Sequence, residues 1–361
     1  MPRFDRHIIR RLLISYVLLV GALIVFFVIL HYVEYIDDFM DRGATQREVF
    51  LRYYPAYIPE IIRLISPLAL FMSIILLNGK LAQQLQLAAL QTSGVSLYRL
   101  LVPFLLVAIC VTSLMFWFNG WVVPGTNKIV LDFEQKYRRD GQQVVDVSDI
   151  HRQSSPGSYI TVGYFDREAN IGHRASLLEF DSANHLTQRL DATRMEWIDS
   201  LAVWRFRNVT RRSFSQGGRE SLNNSLVLDT TLTVLPRDFA RTERDVESMT
   251  LEEAGQYVES LKRSGAGNLG KTAVLYYSKF TYPFANLILA ILGFALASIR
   301  RRGGQAVQIG IGLAVAFLYL TMMKVMEPFG YREEIPPIMA SSLPHFVVLI
   351  GTLIYLIKLR K

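Results

Sequence analysis

A single cysteine, Cys110, stands in 361 residues. That excludes an intramolecular disulfide framework and any zinc site built on two or more thiolates. Charge is scarce as well: Asp, Glu, Lys and Arg make up 19% of the chain, where ordinary soluble domains carry about a quarter. The six histidines, His7, His31, His151, His173, His185 and His345, fall in no H-E-x-x-H or comparable metal spacing. No G-x-S-x-G elbow occurs. The chain therefore shows no nucleophile–base pair and no metal set, which argues against an enzyme. No tandem repeat appears beyond a rhythm of strands, and apolar content is too high for disorder.

What is abundant is apolar mass. Hydrophobic types make up 51% of the chain, with 21 Phe, 17 Tyr and 4 Trp, and the mean hydropathy is +0.25. A helix needs about 20 apolar residues to cross a bilayer. Six runs qualify: Leu12–Val33, Ile58–Asn78, Leu100–Val123, Thr272–Ser298, Ala306–Met326 and Ile338–Ile357. Six crossings place both termini on one side. The flanks Met1–Arg11, Gly79–Arg99, Arg300–Gly304 and Lys358–Lys361 hold 12 Lys and Arg and one acid; the opposite short flanks, Glu34–Tyr57 and Glu327–Ile335, hold 4 Arg and 8 acids. The basic set is cytoplasmic by the positive-inside rule. The net charge of +8 is thus a topology signal and no nucleic-acid footprint. The first run is long and no A-x-A site follows it, so it reads as an uncleaved anchor.

Pro124–Lys271 differs in kind: 148 residues with 20 Lys and Arg and 21 Asp and Glu, the composition of a soluble domain. Period-two stretches rich in β-formers run over Tyr159–Phe165, Ser176–Phe180, Arg189–Trp197, Val203–Phe214 and Leu226–Leu235. They predict an inserted antiparallel β-sandwich or jelly-roll-like domain on the periplasmic side. Thr250, with Glu253 three residues on, predicts a capped amphipathic helix to Arg263. The expected organisation is residues 1–123 (three spans), 124–271 (β-domain) and 272–361 (three spans).

Gly265 to Thr272 matches G-x-x-x-x-G-K-[ST]. A phosphate-cradling loop follows a strand and opens a helix of an α/β unit; here a helical stretch precedes and a span follows, so the reading is a glycine linker and no ATPase. Cys110, in mid-span, reads as an inert packing residue. Charges inside spans are costly, about 2.5–3.5 kcal/mol near the bilayer centre. Glu60, Arg63, Lys279, Lys324 and Glu327 all fall toward the periplasmic ends of their spans. Two readings stand: snorkelling or local pairing, as for Glu60 with Arg63, or a shared cavity in which Arg63, Lys279 and Lys324 meet anionic head groups of a lipid-like substrate. In the cytoplasmic segment Lys80–Arg99, Leu81, Leu85, Ala88, Ala89 and Thr92 recur at helical spacing and Gly94 ends the run. That is a short amphipathic helix, suited either to docking on a cytosolic motor or to lying on the lipid interface.

These features resemble the LptF/LptG (YjgP/YjgQ) family of lipopolysaccharide-export permeases over essentially the whole chain. Leu87-Ala-Ala-Leu90-Gln-Thr-Ser-Gly94-Val-Ser96 is similar to the family's coupling-helix signature. Ile335-Pro-Pro-Ile-Met-Ala-Ser-Ser-Leu343-Pro344 and Tyr277-Ser-Lys279 resemble the LptG branch. The resemblance implies a permease subunit of an ABC transporter in the bacterial inner membrane, paired with a sibling LptF-type permease. It also implies a cytosolic ATPase dimer, a single-pass subunit with a periplasmic domain, a periplasmic bridge protein, and lipopolysaccharide as substrate. ATP would be bound by the partner, and this chain needs no cofactor or metal. Two departures stand out: Gln86 replaces a glutamate common in the coupling helix, and the outer end of span one carries His31, Glu34, Asp37 and Asp38 where some members have lysines. The expected substrate-facing residues are Arg63, Lys279, Lys324, Glu60 and His31; the expected coupling residues are Gln86, Leu87, Leu90 and Gly94. The rival reading is a scaffold subunit that docks periplasmic partners and transports nothing.

Overall fold

The computed structural model describes residues 2–137, 150–166, 169–199, 201–214, 220–234, 236, 239, 243–263, 269–299 and 304–359. They fall into two compact units, each described by itself. One comprises Met1–Arg138, Val246–Ala254 and Gly270–Lys361; the other comprises Arg139–Asp245 and Gly255–Leu269.

The first unit is helical. Five stretches are long and apolar enough to cross a membrane: Arg3–Asp41, Gln46–Gln83, Leu97–Glu134, Gly304–Tyr331 and Pro337–Lys358. The sixth is a bent pair, Gly270–Thr281 and Phe284–Ala297, broken by 51°. In chain order the helices are α1 (Pro2–Asp41), α2 (Gln46–Glu48), α3 (Tyr54–Gln83), α4 (Gln86–Thr92), α5 (Leu97–Trp117), α6 (Val123–Tyr137), α7 (Leu251–Arg263), α8 (Gly270–Thr281), α9 (Phe284–Ala297), α10 (Gly304–Tyr331) and α11 (Pro337–Lys358). Wide π-helical turns, Val49–Tyr53 and Phe118–Val122, join α2 to α3 and α5 to α6. The third rod therefore runs beyond Val123 to Tyr137, its amphipathic last turns carrying Val130 and Phe133 into an apolar cluster with Phe39, Tyr53 and Tyr54.

The break in the fourth span has a local cause. Proline has no N–H, and it disfavours helical backbone in the residue before it. Pro283 sits at the junction of α8 and α9. Inside the bundle, several polar side chains pair across helices, as a medium without water favours. Tyr16 Oη lies 2.7 Å from Ser66 Oγ, and Ser66 donates to Asn286 Oδ1 at 2.8 Å, tying α1, α3 and α9 together. Asn78 donates to Phe294 O at 3.0 Å, pinning the end of α9 to α3.

The second unit holds one six-stranded antiparallel sheet, β1 (Ile150–Ser155), β2 (Ser158–Asp166), β3 (Ile171–Phe180), β4 (Leu186–Ile198), β5 (Val203–Phe214) and β6 (Glu220–Thr230), its strands in sequence order. Alternating residues build one apolar face, with Ile160, Leu177, Leu190, Met195, Trp204 and Phe206 buried on it. Four expected strands lie where the alternation put them. The fifth, expected over Leu226–Leu235, starts at Glu220 and stops at Thr230. Val234 instead turns back onto the apolar face, where its carbonyl accepts from Trp204 Nε1 at 2.7 Å. Strand β1 was not expected, because His151-Arg152-Gln153-Ser154 shows no apolar alternation.

Candidate functional site

The polar cluster around the break begins with a missing hydrogen bond. In a regular helix the carbonyl of Lys279 would accept from the N–H of residue 283, and that residue is proline. Asn119, buried in the π-helical turn of the third span, donates to that carbonyl at 2.9 Å. The Lys279 side chain turns inward, 8% exposed, and its ammonium donates to Met249 O at 2.9 Å. Glu60, Arg63, Glu247 and Glu253 lie within its electrostatic reach.

Arg63 grips Glu60 with two prongs: Nε donates to Oε2 at 3.0 Å, and Nη2 to Oε1. Asn127 adds a longer donation to Glu60 Oε2, at 3.4 Å. The guanidinium stands 5.2 Å over the ring of Tyr282, a cation–π arrangement, and Tyr282 Oη donates to Leu64 O at 3.2 Å. Both members of the ion pair keep 25% of their side-chain surface exposed. Local pairing is therefore real here, and it leaves a quarter of each side chain exposed.

Lys324 is a separate case. Its side chain is 65% exposed, and Nζ donates to Glu327 at 2.8 Å; Tyr331 Oη donates to the same carboxylate at 3.0 Å. Lys324 is thus exposed where Lys279 is buried. What lies between the second and fifth spans is an apolar hollow of about 410 Å³ lined by Leu68, Gly310, Leu313, Ala314, Phe317 and Leu320. Arg63 is five residues from Leu68 along α3, and Lys324 four from Leu320 along α10. At 1.5 Å per residue both cations sit roughly 6–8 Å along their helices from the hollow, each toward the acid-rich end of its span.

His31 belongs to neither feature. It is buried in an aromatic box of Tyr35, Phe39, Tyr53, Tyr54 and Tyr57. Nδ1 lies 3.3 Å from Tyr54 Oη and Nε2 3.2 Å from Tyr53 Oη; Tyr53 donates in turn to Glu134 at 2.8 Å. The box closes the outer end of α1 against the second and third rods, which is a packing role.

The coupling segment departs from one continuous amphipathic helix. Leu81 lies in the last turn of α3, which ends at Gln83 and is capped by Gln84. Leu85 takes a left-handed backbone, φ +60°, so the periodicity from Leu81 to Thr92 is cut there. Helix α4 is seven residues long. Gly94, at φ +89°, makes the turn that an L side chain would strain, and Ser96 caps α5 by accepting from Arg99 N at 3.3 Å. Leu87 is buried in the core of the bundle, with Leu90 and Val95 packed against the same cluster. The outward residues are Leu85, Gln86, Ala88, Ala89, Gln91 and Thr92.

Two further expectations resolve. Gly265–Asn268 lie outside the described residues, but Gly270 opens α8 and α7 is helical, so no strand leads into the segment. A Cβ on Gly270 would meet Gly330 O at 2.5 Å, so close packing requires that glycine. Cys110 is not a packing residue; it is exposed on α5. Among the described residues no group of three or more His, Cys, Asp or Glu could hold a metal ion. Asn119, Asn127 and Tyr282 carried no sequence signal of their own, since their partners are 160, 67 and 218 positions away.

Comparison with known proteins follows this architecture. A family profile described as "Lipopolysaccharide export system permease LptF/LptG" matches residues 6–358. The lipopolysaccharide export system permease protein LptG of Escherichia coli K12 is 20% identical over 290 residues, 80% of this chain and 79% of that protein. LptG of Haemophilus influenzae is 19% identical over 329 residues, 89% of this chain and 90% of that protein.

Proposed function

This chain belongs to the LptF/LptG family of lipopolysaccharide export permeases, and on that premise we propose that it is the permease subunit of an ABC transporter that extracts lipopolysaccharide from the outer leaflet of the inner membrane. The observation that carries the reading is the pairing of Arg63 and Lys324 with the apolar hollow between spans two and five. An acyl chain fits the hollow, and the phosphate groups of the same molecule then reach cations on both walls. A guanidinium offers phosphate a planar fork even while one edge holds Glu60. Lys279 acts from behind as a positioning residue, fixing the broken span to the segment that opens α7.

Loop charge puts the termini and the coupling segment in the cytoplasm and the β-domain in the periplasm. Helix α4, with Leu87 rooted in the bundle, turns Ala88, Ala89 and Thr92 toward a cytosolic ATPase dimer, which supplies the hydrolysis this chain lacks. A sibling LptF-type permease completes the translocation path: only 6% of the most apolar stretch of the first span is buried within this chain, against 61% for the second. The β-sheet, with its apolar face and exposed β6 edge, hands the lipid to a single-pass subunit and a periplasmic bridge protein.

The test is site-specific photocrosslinking in the assembled complex. A crosslinker at Phe317 captures lipopolysaccharide and releases it on ATP addition; one at Leu106, on the exposed face of α5, captures none. Equal capture at the two positions, or capture indifferent to ATP, supports the scaffold reading instead.

A further inference from the structure

We propose that Leu85 is a positioning residue for energy coupling: a strained joint that holds α4 in its resting tilt and relaxes when the ATPase moves that helix. The proposal rests on the reading that α4 docks on a cytosolic ATPase.

A chain that turns sharply between two helices needs a residue able to leave the helical region. Glycine does so freely, whereas an L side chain in the left-handed region brings its Cβ too close to the following carbonyl oxygen. The two ends of α4 differ in this respect. Gly94 follows the helix at φ +89°, and nothing lies within 4 Å of where a side chain would begin. Leu85 precedes it at φ +60° and ψ +11°. Ser, Thr, Asn, Asp and Gly favour that N-cap position, and Leu85 supplies no capping side-chain hydrogen bond. Its side chain is exposed and lies outside the apolar cluster that takes Leu87 and Leu90. Packing of the leucine itself therefore does not offset the strain.

Such a conformation persists only where its surroundings over-determine it. Before the joint, Leu81 and Ala82 are buried in the bundle core, and Leu85 N donates to Ala82 O at 3.1 Å. After it, Leu87 is buried in the same core, and Ala89 N donates to Leu85 O at 2.9 Å. Gln83, two residues ahead of the joint, adds a second cost. Its Nε2 is buried with no hydrogen-bond partner among the described residues, a cost of the kind stored in strained elements. Burial of Leu87 thus works against backbone strain at Leu85 and an unpaired amide at Gln83. Opposed terms of this sort make an element bistable. Displacing α4 uncovers Leu87 and releases both costs. Ser93–Ser96 tether α4 to α5, so the motion is a tilt between one strained joint and one free one.

The test is electron paramagnetic resonance distance measurement between spin labels at Lys80 and Gln91, both exposed, in the assembled complex carrying Cys110→Ser. Lipopolysaccharide release per ATP hydrolysed is measured alongside. Wild type gains a second distance when ATP and vanadate are added. Leu85→Gly and Leu85→Asn relieve the resting state, shift the population toward the resting distance by roughly 5–30-fold, and lower release per ATP. Leu85→Ala keeps the Cβ and matches wild type in both readouts. One distance in wild type, with or without nucleotide, overturns the proposal. So does an unchanged release ratio in Leu85→Gly, which would leave the joint merely structural. So does Leu85→Ala behaving as Leu85→Gly, which would make the leucine side chain, and not its backbone, the acting part. None of these outcomes decides whether Ala89→Trp loses the ATPase, so the joint and the docking surface fail separately.

Discussion

The side-chain amide of Asn119 donates to the main-chain carbonyl of Lys279 across 2.9 Å, from the third span to the fourth. The bond repairs a vacancy that Pro283 creates four residues on. A break in a membrane helix is tolerated where neighbouring groups satisfy the freed backbone, and this one bond holds the kinked strut to the π-helical turn opposite.

Asn119→Ala leaves that carbonyl buried and unpaired. The expected loss is about 1–3 kcal/mol of stability, read as a lower melting temperature of the purified protein. Pro283→Ala returns an N–H to position 283. In that background Asn119→Ala costs less than half as much, and an undiminished cost would refute the assignment.

Arg63→Gln strands the Glu60 carboxylate, with an expected cost of about 1.5–3 kcal/mol, the range for hydrogen bonds to charged groups. Adding Glu60→Gln removes the stranded charge and restores the melting temperature. Lipopolysaccharide capture at Phe317 stays low in the double variant, because the cation is still absent. Recovery of capture together with stability would make the pair purely structural.

Leu87 and Ala89 separate within one short helix. Leu87→Ala empties a packed site and costs about 2–5 kcal/mol. Ala89→Trp leaves the melting temperature within about 0.5 kcal/mol of wild type, as for an exposed position, but abolishes co-purification of the ATPase. ATPase retention by the tryptophan variant would move the docking surface elsewhere.

In the sheet, Arg205 donates to both oxygens of Asp229 at 2.8 Å, bridging β5 and β6. Those bonds hold the Asp229 carboxyl below the usual carboxylate range. A depressed folded-state pKa gives stability that is fully present above the unfolded value, about 3.9, and is lost as pH falls through the folded value. Amide exchange in β6 therefore stays slow down to about pH 4 and quickens only below it. Asp229→Asn quickens it at neutral pH, and unchanged exchange in that variant would contradict the bridge.

Elements governed by local periodicity were legible in the sequence. The six apolar runs, the alternation of β2 to β5 and the Thr250–Glu253 cap, whose reciprocal bonds measure 2.9 and 3.3 Å, depend on neighbours within a few positions. The pairing of Glu60 with Arg63 belongs to the same class. The interruption at Leu85 does not, because a leucine with positive φ leaves no compositional trace, and the apolar period runs through it undisturbed. Nor does the inward turn of Lys279: its acceptor is a carbonyl thirty residues upstream, and a carbonyl has no residue signature. Charge in a span marks a place of consequence, while its orientation is decided by tertiary packing.

The first helix is fastened at its extremities. Ile8, Leu12 and Tyr16 lock one end into the bundle, and His31 and Phe39 lock the other into the aromatic box; between them a partly buried stripe, Leu19, Val20 and Leu23, leans on the core. A bilayer thinner or thicker than this helix must be met by tilt or curvature somewhere. With both ends clamped, the central turns take up the mismatch first, so membrane thickness acts on this subunit as a bowing force along one helix.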